Sequence, residues 1–437
     1  MNKHLAVLVA AWLVSAAAGA ADLLSIYHDA AANDPQFASA RASLDAGREK
    51  LPQGRAGLLP AVGLNANTTW NDEDYALRPA GHLAKRYNSN GWTVQLTQPL
   101  FRWQNWVAYT QSELAVAQAE AQFAQARQDL VLRVTQAYFD VLAAQEALAT
   151  AQAQKAAISE QLEAAKRNFE VGTATITDTH EAQARHDLAE AQEIAAQSDL
   201  EVKRQALRSL IGKETEGLKN LKSGVGLSTP QPNQINPWVE QAETASPGVL
   251  VAQAGLEIAQ REIERQRAGH LPTLDLVATR SHNAVNDGPF FGGYVADNRT
   301  VGLQLSVPLF AGGYTVSKGR EAVALKEKAA ADLENARRQA ALAARQTYLG
   351  VTSGLAQVKA LEAAYASSQS SLDSNKLGYE VGVRINIDVL NAQSQLYDTR
   401  QKLVRARLDT LLALLRLKAA AGSLGEEDLV AINALLE

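Results

Sequence analysis

Two periods of hydrophobic and polar residues divide this chain. The first is strict alternation. Val62, Leu64, Ala66, Thr68 and Trp70 face one way, and Gly63, Asn65, Asn67 and Thr69 face the other. Trp92, Val94 and Leu96 alternate in the same manner with Thr93, Gln95 and Thr97. Later in the chain Leu274, Leu276 and Ala278 alternate with Asp275, Val277 and Thr279, and Val301, Leu303, Leu305 and Val307 with Gly302, Gln304 and Ser306. Side chains of a strand point alternately to its two faces, so these are four strands with unlike faces. The polar stretches near 71–90 and 281–299 read as loops joining each pair.

The second period is helical. No glycine or proline interrupts Leu100 to Val171, and ~65 helical residues would extend about 100 Å. Within it Leu130, Val134, Ala137, Val141, Ala144, Leu148 and Ala151 form a heptad seam. A return helix near Thr177 to Ile211 stops at Gly212. A second long run, Tyr314 to Lys376, contains Gly319, Gly350 and Gly354 as weak points. Its return helix carries Tyr397, Gln401, Val404, Leu408, Leu411 and Leu415 along a seam and stops at Gly422. Residues 22–56 are helical around a break at Asn33-Asp34-Pro35, and Pro52 is placed to kink or shorten the helix it enters. Seams rich in alanine make thin contacts, so such helices need partners on several sides.

These elements occur twice. Asn168–Gln183 (NFEVGTATITDTHEAQ) recurs within Lys376–Gln393 (KLGYEVGVRINIDVLNAQ), and Gly172 and Gly382 lie 382 − 172 = 210 residues apart. Asp178 and Asp388, Tyr138 and Tyr348, and Gly212 and Gly422 keep that offset. Each copy therefore runs helix, strand pair, long helix, turn, return helix. The expected boundaries are 21–212 and 238–422, with a Gly-, Pro-, Ser- and Asn-rich linker over 213–237 and a tail over 423–437.

Composition narrows the setting. Lys3, the apolar Leu5 to Val14 and the small residues Ala18-Gly19-Ala20 form an export signal over 1–20. The chain has no cysteine, which excludes disulfides, thiolate metal sites and a lipidated N-terminal cysteine. Beyond the signal no apolar run is long enough for a membrane helix, so membrane insertion would have to use strands. Closed barrels begin at about eight strands, and one chain offers four. A net charge of −5, without a basic patch, gives no sign of nucleic-acid binding.

Chemistry is sparse. There is no phosphate-binding glycine loop, Gly-x-Ser-x-Gly elbow or His-Glu-x-x-His motif. His180 and His186, six residues apart, do not share a helix face and read as solvated. An enzyme is therefore the weakest hypothesis. Asp178 and Asp388 fall in the first turn of a return helix, where the helix dipole alone favours an acid. The two copies differ around them: Tyr379, Arg384 and Asn391 stand where the first has Phe169, Ala174 and Glu181. A hydroxyl and a guanidinium from one hairpin could bond a carboxylate of its neighbour and close a pore.

The duplicated order, the motifs VGTATITD at 171–178 and VGVRINIDVLNAQ at 381–393, and the Leu-Phe stops at 100–101 and 309–310 resemble the TolC-like outer-membrane channel-tunnels of Gram-negative bacteria. The resemblance covers essentially the whole mature chain. It implies a mainly α protein with a transmembrane β part, in which a homotrimer closes a twelve-stranded barrel in outer-membrane lipid. A coiled-coil helical tunnel would continue it into the periplasm. It further implies docking onto a periplasmic adaptor and an inner-membrane pump of ABC, RND or MFS type. Cargo would then be delivered to a passive exit duct without cofactor or catalysis. Residue by residue, Tyr379 and Arg384 match the inner partners of the periplasmic gate, Asp178 and Thr177 the outer ones. Gly172 and Gly382 match the adaptor-docking turns. Asp388 matches a pore ring whose second acid is replaced here by Asn391. A different class remains open on the residues alone: a periplasmic coiled-coil structural or adaptor protein whose strands form a small soluble domain.

Overall fold

The computed structural model describes residues 21–79, 81–215, 217–222, 224–289 and 292–437. The expected export signal over 1–20 lies outside them. The chain forms two compact units, one of residues 40–125 and 242–341, the other of the remainder.

The first unit is built on a four-stranded antiparallel sheet, β1 (Ala61–Leu77), β2 (Gly81–Phe101), β3 (Thr273–Gly288) and β4 (Gly292–Ser306), in that spatial order. The alternation fixes its register: Leu64 pairs with Val94 and Leu276 with Leu303, so the apolar positions of all four strands share one face. Val62, Leu64, Val301 and Leu303 are 66, 68, 77 and 65 % exposed there, a continuous apolar band rather than a core. The register slips between Pro99 and Phe101, where proline offers no N–H to the ladder. Among the described residues β1 and β4 are free edges of long, exposed strands. In a hydrocarbon layer such edges must be paired, which further copies of the same sheet can do.

The strands are longer than the alternation suggested. The stretches 71–90 and 281–299, expected to be loops, are ladder-paired for almost their whole length: β1 runs to Leu77 and β2 begins at Gly81, β3 runs to Gly288 and β4 begins at Gly292. Beyond the apolar band neither face needs to be greasy, so the strand signal fades while the backbone pairing continues. Asp72–Arg86 and Lys85–Asp287 ion pairs span these outer parts. At the other end of the sheet Arg102 donates from Nε and Nη2 to the two carboxylate oxygens of Asp275, at 2.8 and 2.6 Å.

The helices are α1 (Leu23–Asn33), α2 (Pro35–Arg48), α3 (Lys50–Ala56), α4 (Trp103–Glu170), α5 (Ile176–Ile211), α6 (Ile235–Ala245), α7 (Pro247–Arg267), α8 (Tyr314–Glu380), α9 (Asn386–Ala420) and α10 (Glu426–Asn433). None is long and apolar enough to cross a membrane. Pro52 acts as expected: its ring cannot pass the carbonyl four residues back, and α2 ends at that residue, Arg48. The glycines of α8 do not interrupt it.

In the second unit the seams pack as pattern predicts, with Leu130, Val134, Val141 and Ala144 buried. Helix α9 is buried on more than the one seam, since Leu403, Ala406, Thr410 and Leu417 join Leu408, Leu411 and Leu415. The segment 213–237 is more than a connector. Residues 217–219 pair with Ala21, and 220–222 with residues 435–437, so both ends of the described chain are stitched to it. Buried Tyr138 donates to the Lys219 carbonyl at 2.8 Å, and burial, the largest influence, pushes its hydroxyl pKa up.

Candidate gate at the helical turns

The turn between α4 and α5 is closed by backbone. Gly172, with φ +77°, lets the N–H groups of Thr173 and Ala174 reach the Asn168 carbonyl at 2.8 and 3.1 Å. The turn between α8 and α9 repeats this: Gly382 has φ +78°, and Val383 and Arg384 donate to the Gly378 carbonyl at 2.9 and 3.1 Å. A left-handed residue is what such helix ends require, and glycine reaches it without strain. Val171, Val381 and Val383 stand exposed around the glycines.

The acids behind the turns have different neighbours. Asp178 accepts from the backbone N–H and hydroxyl of Thr175 at 2.9 and 2.8 Å, and its own N–H donates back to the Thr175 hydroxyl at 3.3 Å. It is thus half of a reciprocal capping box. Thr177 beside it is exposed. In the second turn the capping position is Ile385, which offers no side-chain acceptor. Asp388 instead lies 3.5 Å from Arg384 Nη1, in an exposed ion pair.

Just behind the turns two side-chain bonds join the hairpins within one chain, and neither was expected. Asn168 Nδ2 donates to the Tyr379 hydroxyl at 3.2 Å, and Arg185 Nη2 donates to Asn391 Oδ1 at 3.0 Å. Tyr379 thus crosses to the first hairpin, where it meets Asn168 and not Asp178. Beneath these bonds Ile158, Ala189 and Leu390 form an apolar contact of α4, α5 and α9, and Leu372, Val389 and Leu396 one of α8 and α9 against Tyr379. Further along, Arg400–Glu146 and Arg405–Asp140 ion pairs continue the seam between α9 and α4, at 2.7 and 3.1 Å.

Arg384, Asp388 and Asn391 line a polar groove of about 470 Å³ with Ser367, Ser371 and Asn375, all from the second hairpin. His180 is exposed, as expected of a solvated residue. His186 is not: it is half-buried beside Asp187. The missed residues, Asn168 and Arg185, carry a faint signal in the repeat itself. At the matching offset stand Gly378 and Gln395, so each is a place where the copies differ in hydrogen-bonding capacity.

With an open-edged sheet of apolar outer face and paired helical hairpins in hand, comparison with known proteins is decisive. The outer membrane efflux protein family matches residues 26–213 and 238–423. The chain belongs to that family. TolC of Vibrio cholerae serotype O1 is 34 % identical over 441 residues, covering 100 % of this chain and 99 % of the relative. The alkaline protease secretion protein AprF of Pseudomonas aeruginosa is 34 % identical over 418 residues, covering 94 % and 86 %. Among solved structures, VceC of Vibrio cholerae superposes with a TM-score of 0.77 at 20 % identity over 92 % of this chain and 96 % of that one. CmeC of Campylobacter jejuni does so with 0.78 at 16 % over 94 % and 89 %. The efflux-family chain is an outer-membrane export channel, its four strands one third of a trimeric barrel that continues into a helical tunnel. Membership sets aside the alternative of a soluble coiled-coil adaptor.

Proposed function

We propose that this channel is the passive exit duct of a tripartite machine, fed by an inner-membrane pump through a periplasmic adaptor, and that its helical turns form a closable gate. Each chain contributes two structural repeats, 21–212 and 238–422. The observation that carries the gate is the pair of bonds Asn168–Tyr379 and Arg185–Asn391, which hold the second hairpin against the first just behind the turns. Opening requires the hairpins to part, and these bonds must break as they do. Arg384 on one side, Asp178 and Thr177 on the other, are the groups through which neighbouring hairpins tie. Asp388 and Asn391 ring the pore behind them. The left-handed turns at Gly172 and Gly382, flanked by exposed valines, are the grips for the adaptor.

The duct performs no covalent chemistry, and the pump supplies the energy. The names of AprF and of PrtF of Dickeya chrysanthemi, 34 and 32 % identical to this chain, concern protease secretion, which favours protein cargo within the wider range of proteins and small molecules. Single-channel conductance in planar bilayers tests the gate. A Tyr379→Phe, Arg185→Ala double variant should conduct several-fold more than the parent. Unchanged conductance would remove these residues from the gate.

A further inference from the structure

The apolar face of the sheet does not end in a neutral rim. Continuing along it past the apolar band, β2 presents Trp92, β3 presents Arg280 and His282, and β4 presents Arg299 and Asp297. Arg280 and Arg299 are direct cross-strand partners, and both are exposed. Like charges placed opposite one another on a sheet are destabilising unless something of opposite charge joins them. The acid beside the pair on this face, Asp297, is turned to another group: it lies 2.9 Å from His282 Nδ1. Among the described residues neither Arg280 nor Arg299 has a carboxylate partner. Trp92 completes the patch: its ring stacks on His282 at 6.1 Å, and the Arg280 guanidinium lies over it at 5.9 Å.

The depth of the pair points to what it meets. The helices join the strands at their opposite ends, and the arginines stand midway along β3 and β4, just on the hairpin side of the apolar pair Ala278 and Val301. From Val307 to Arg299 is eight residues, roughly 26 Å of strand. At a tilt of about 40° this is roughly 20 Å along the membrane normal, near the upper limit of an apolar band about 25 Å tall. Trp92 marks the same boundary, where tryptophan rings settle at headgroup level.

We propose that Arg280 and Arg299, with Trp92 beside them, form a binding site for the phosphate group of a phosphorylated lipid in the outer leaflet. Two guanidinium forks present several N–H donors to the oxygens of one phosphate, whose two negative charges match the pair. The acyl chains below would lie on Val301, Leu303 and Leu96. This assignment rests on the outer-membrane barrel and is independent of the gate. A trimer carries three such sites on its outer wall.

Native mass spectrometry of the purified full-length channel in detergent tests the site. The probe is a bisphosphorylated glucosamine-disaccharide lipid, offered beside its dephosphorylated form and, separately, beside inorganic phosphate. The phosphorylated lipid should be retained about tenfold more strongly than the dephosphorylated one, the scale of a charge-assisted hydrogen bond. Arg280→Gln, Arg299→Gln should abolish that preference, and the Lys, Lys variant should keep part of it. Equal retention of the two lipids by the parent channel would overturn the proposal whether or not the variants fold. So would an undiminished preference in the Gln, Gln variant, or displacement of the lipid by millimolar-range inorganic phosphate.

Discussion

The two helical turns share a backbone and differ in the chemistry hung on it. Both place glycine at nearly the same positive φ and close with the same two N–H bonds. The first turn then satisfies itself: Thr175 and Asp178 cap one another. The second leaves its helix end uncapped at Ile385 and pairs its acid loosely with Arg384. A similar contrast recurs nearer the strands. In the first copy Asp34 accepts from Arg133 Nη2 at 2.5 Å and from the N–H groups of Gln36 and Phe37, capping α2. The second copy has Ser246 and Ala343 at the corresponding offsets, and Ser246 makes no capping bond. Duplication preserved the geometry, while local ties accumulated in one copy and uncommitted polar groups in the other.

The largest expected effect breaks this contrast at its strongest point. Asp34 is 4 % exposed, so Asp34→Asn leaves the Arg133 charge without its counterpart and should cost about 3 kcal/mol of stability. Ser246→Ala should cost almost nothing. Chemical unfolding of the two variants, side by side, checks it. Burial alone would raise the Asp34 pKa, but the Arg133 bond and charge, with the two N–H groups, outweigh it and hold the carboxyl below its ordinary value. A lowered folded pKa gives stability that is complete above the unfolded value, about 4. That contribution is lost as pH falls through the folded value. The gap between parent and Asp34→Asn should therefore be full at neutral pH and close below about pH 4.

The next effect should be equal in the two copies. Gly172→Ala and Gly382→Ala each force a Cβ into the left-handed region, at roughly 1–2 kcal/mol, and neither meets a neighbouring atom. Unequal losses would show that one turn can relax where the other cannot. A smaller effect tests the caps directly. Thr175→Ala should cost about 1 kcal/mol, and Ile385→Thr, which gives Asp388 a capping partner, should gain a similar amount. Thermal unfolding of both reports whether the second turn is unable to be capped or merely lacks the residue.

Much of this was legible in the chain before any coordinates. Alternation located the strands wherever one face had to be apolar, and it failed at 71–90 and 281–299 because paired backbone outside the lipid needs no such face. The 210-residue offset located both turns and their glycines. It could not say that Asn168 meets Tyr379 or that Arg185 meets Asn391, since spacing along a helix fixes which face a side chain shares but not which hairpin lies against it. Gly378 shows the limit well. It lies beyond the expected end of the run at Lys376, inside α8, and a Cβ there would lie 2.7 Å from Arg384 Cγ, so a glycine lets that arginine fold back. Its counterpart, Asn168, has only Ala174 to accommodate and keeps a side chain free for Tyr379.

The smallest expected effect on stability separates the two kinds of turn most cleanly. Arg384 and Asp388 are 58 and 34 % exposed at 3.5 Å, and an i, i+4 pair in that setting contributes less than about 0.5 kcal/mol. Arg384→Ala should therefore leave the unfolding midpoint essentially in place. Among the described residues its guanidinium is nonetheless held only by that loose pair. If that donor ties neighbouring hairpins, conductance in planar bilayers should rise although stability does not. Asp178→Asn, by contrast, removes half of a capping box and should lower the midpoint by about 1 kcal/mol whatever it does to conductance. Arg384→Ala moving stability more than Asp178→Asn would mean that the second turn, not the first, holds its hairpin together.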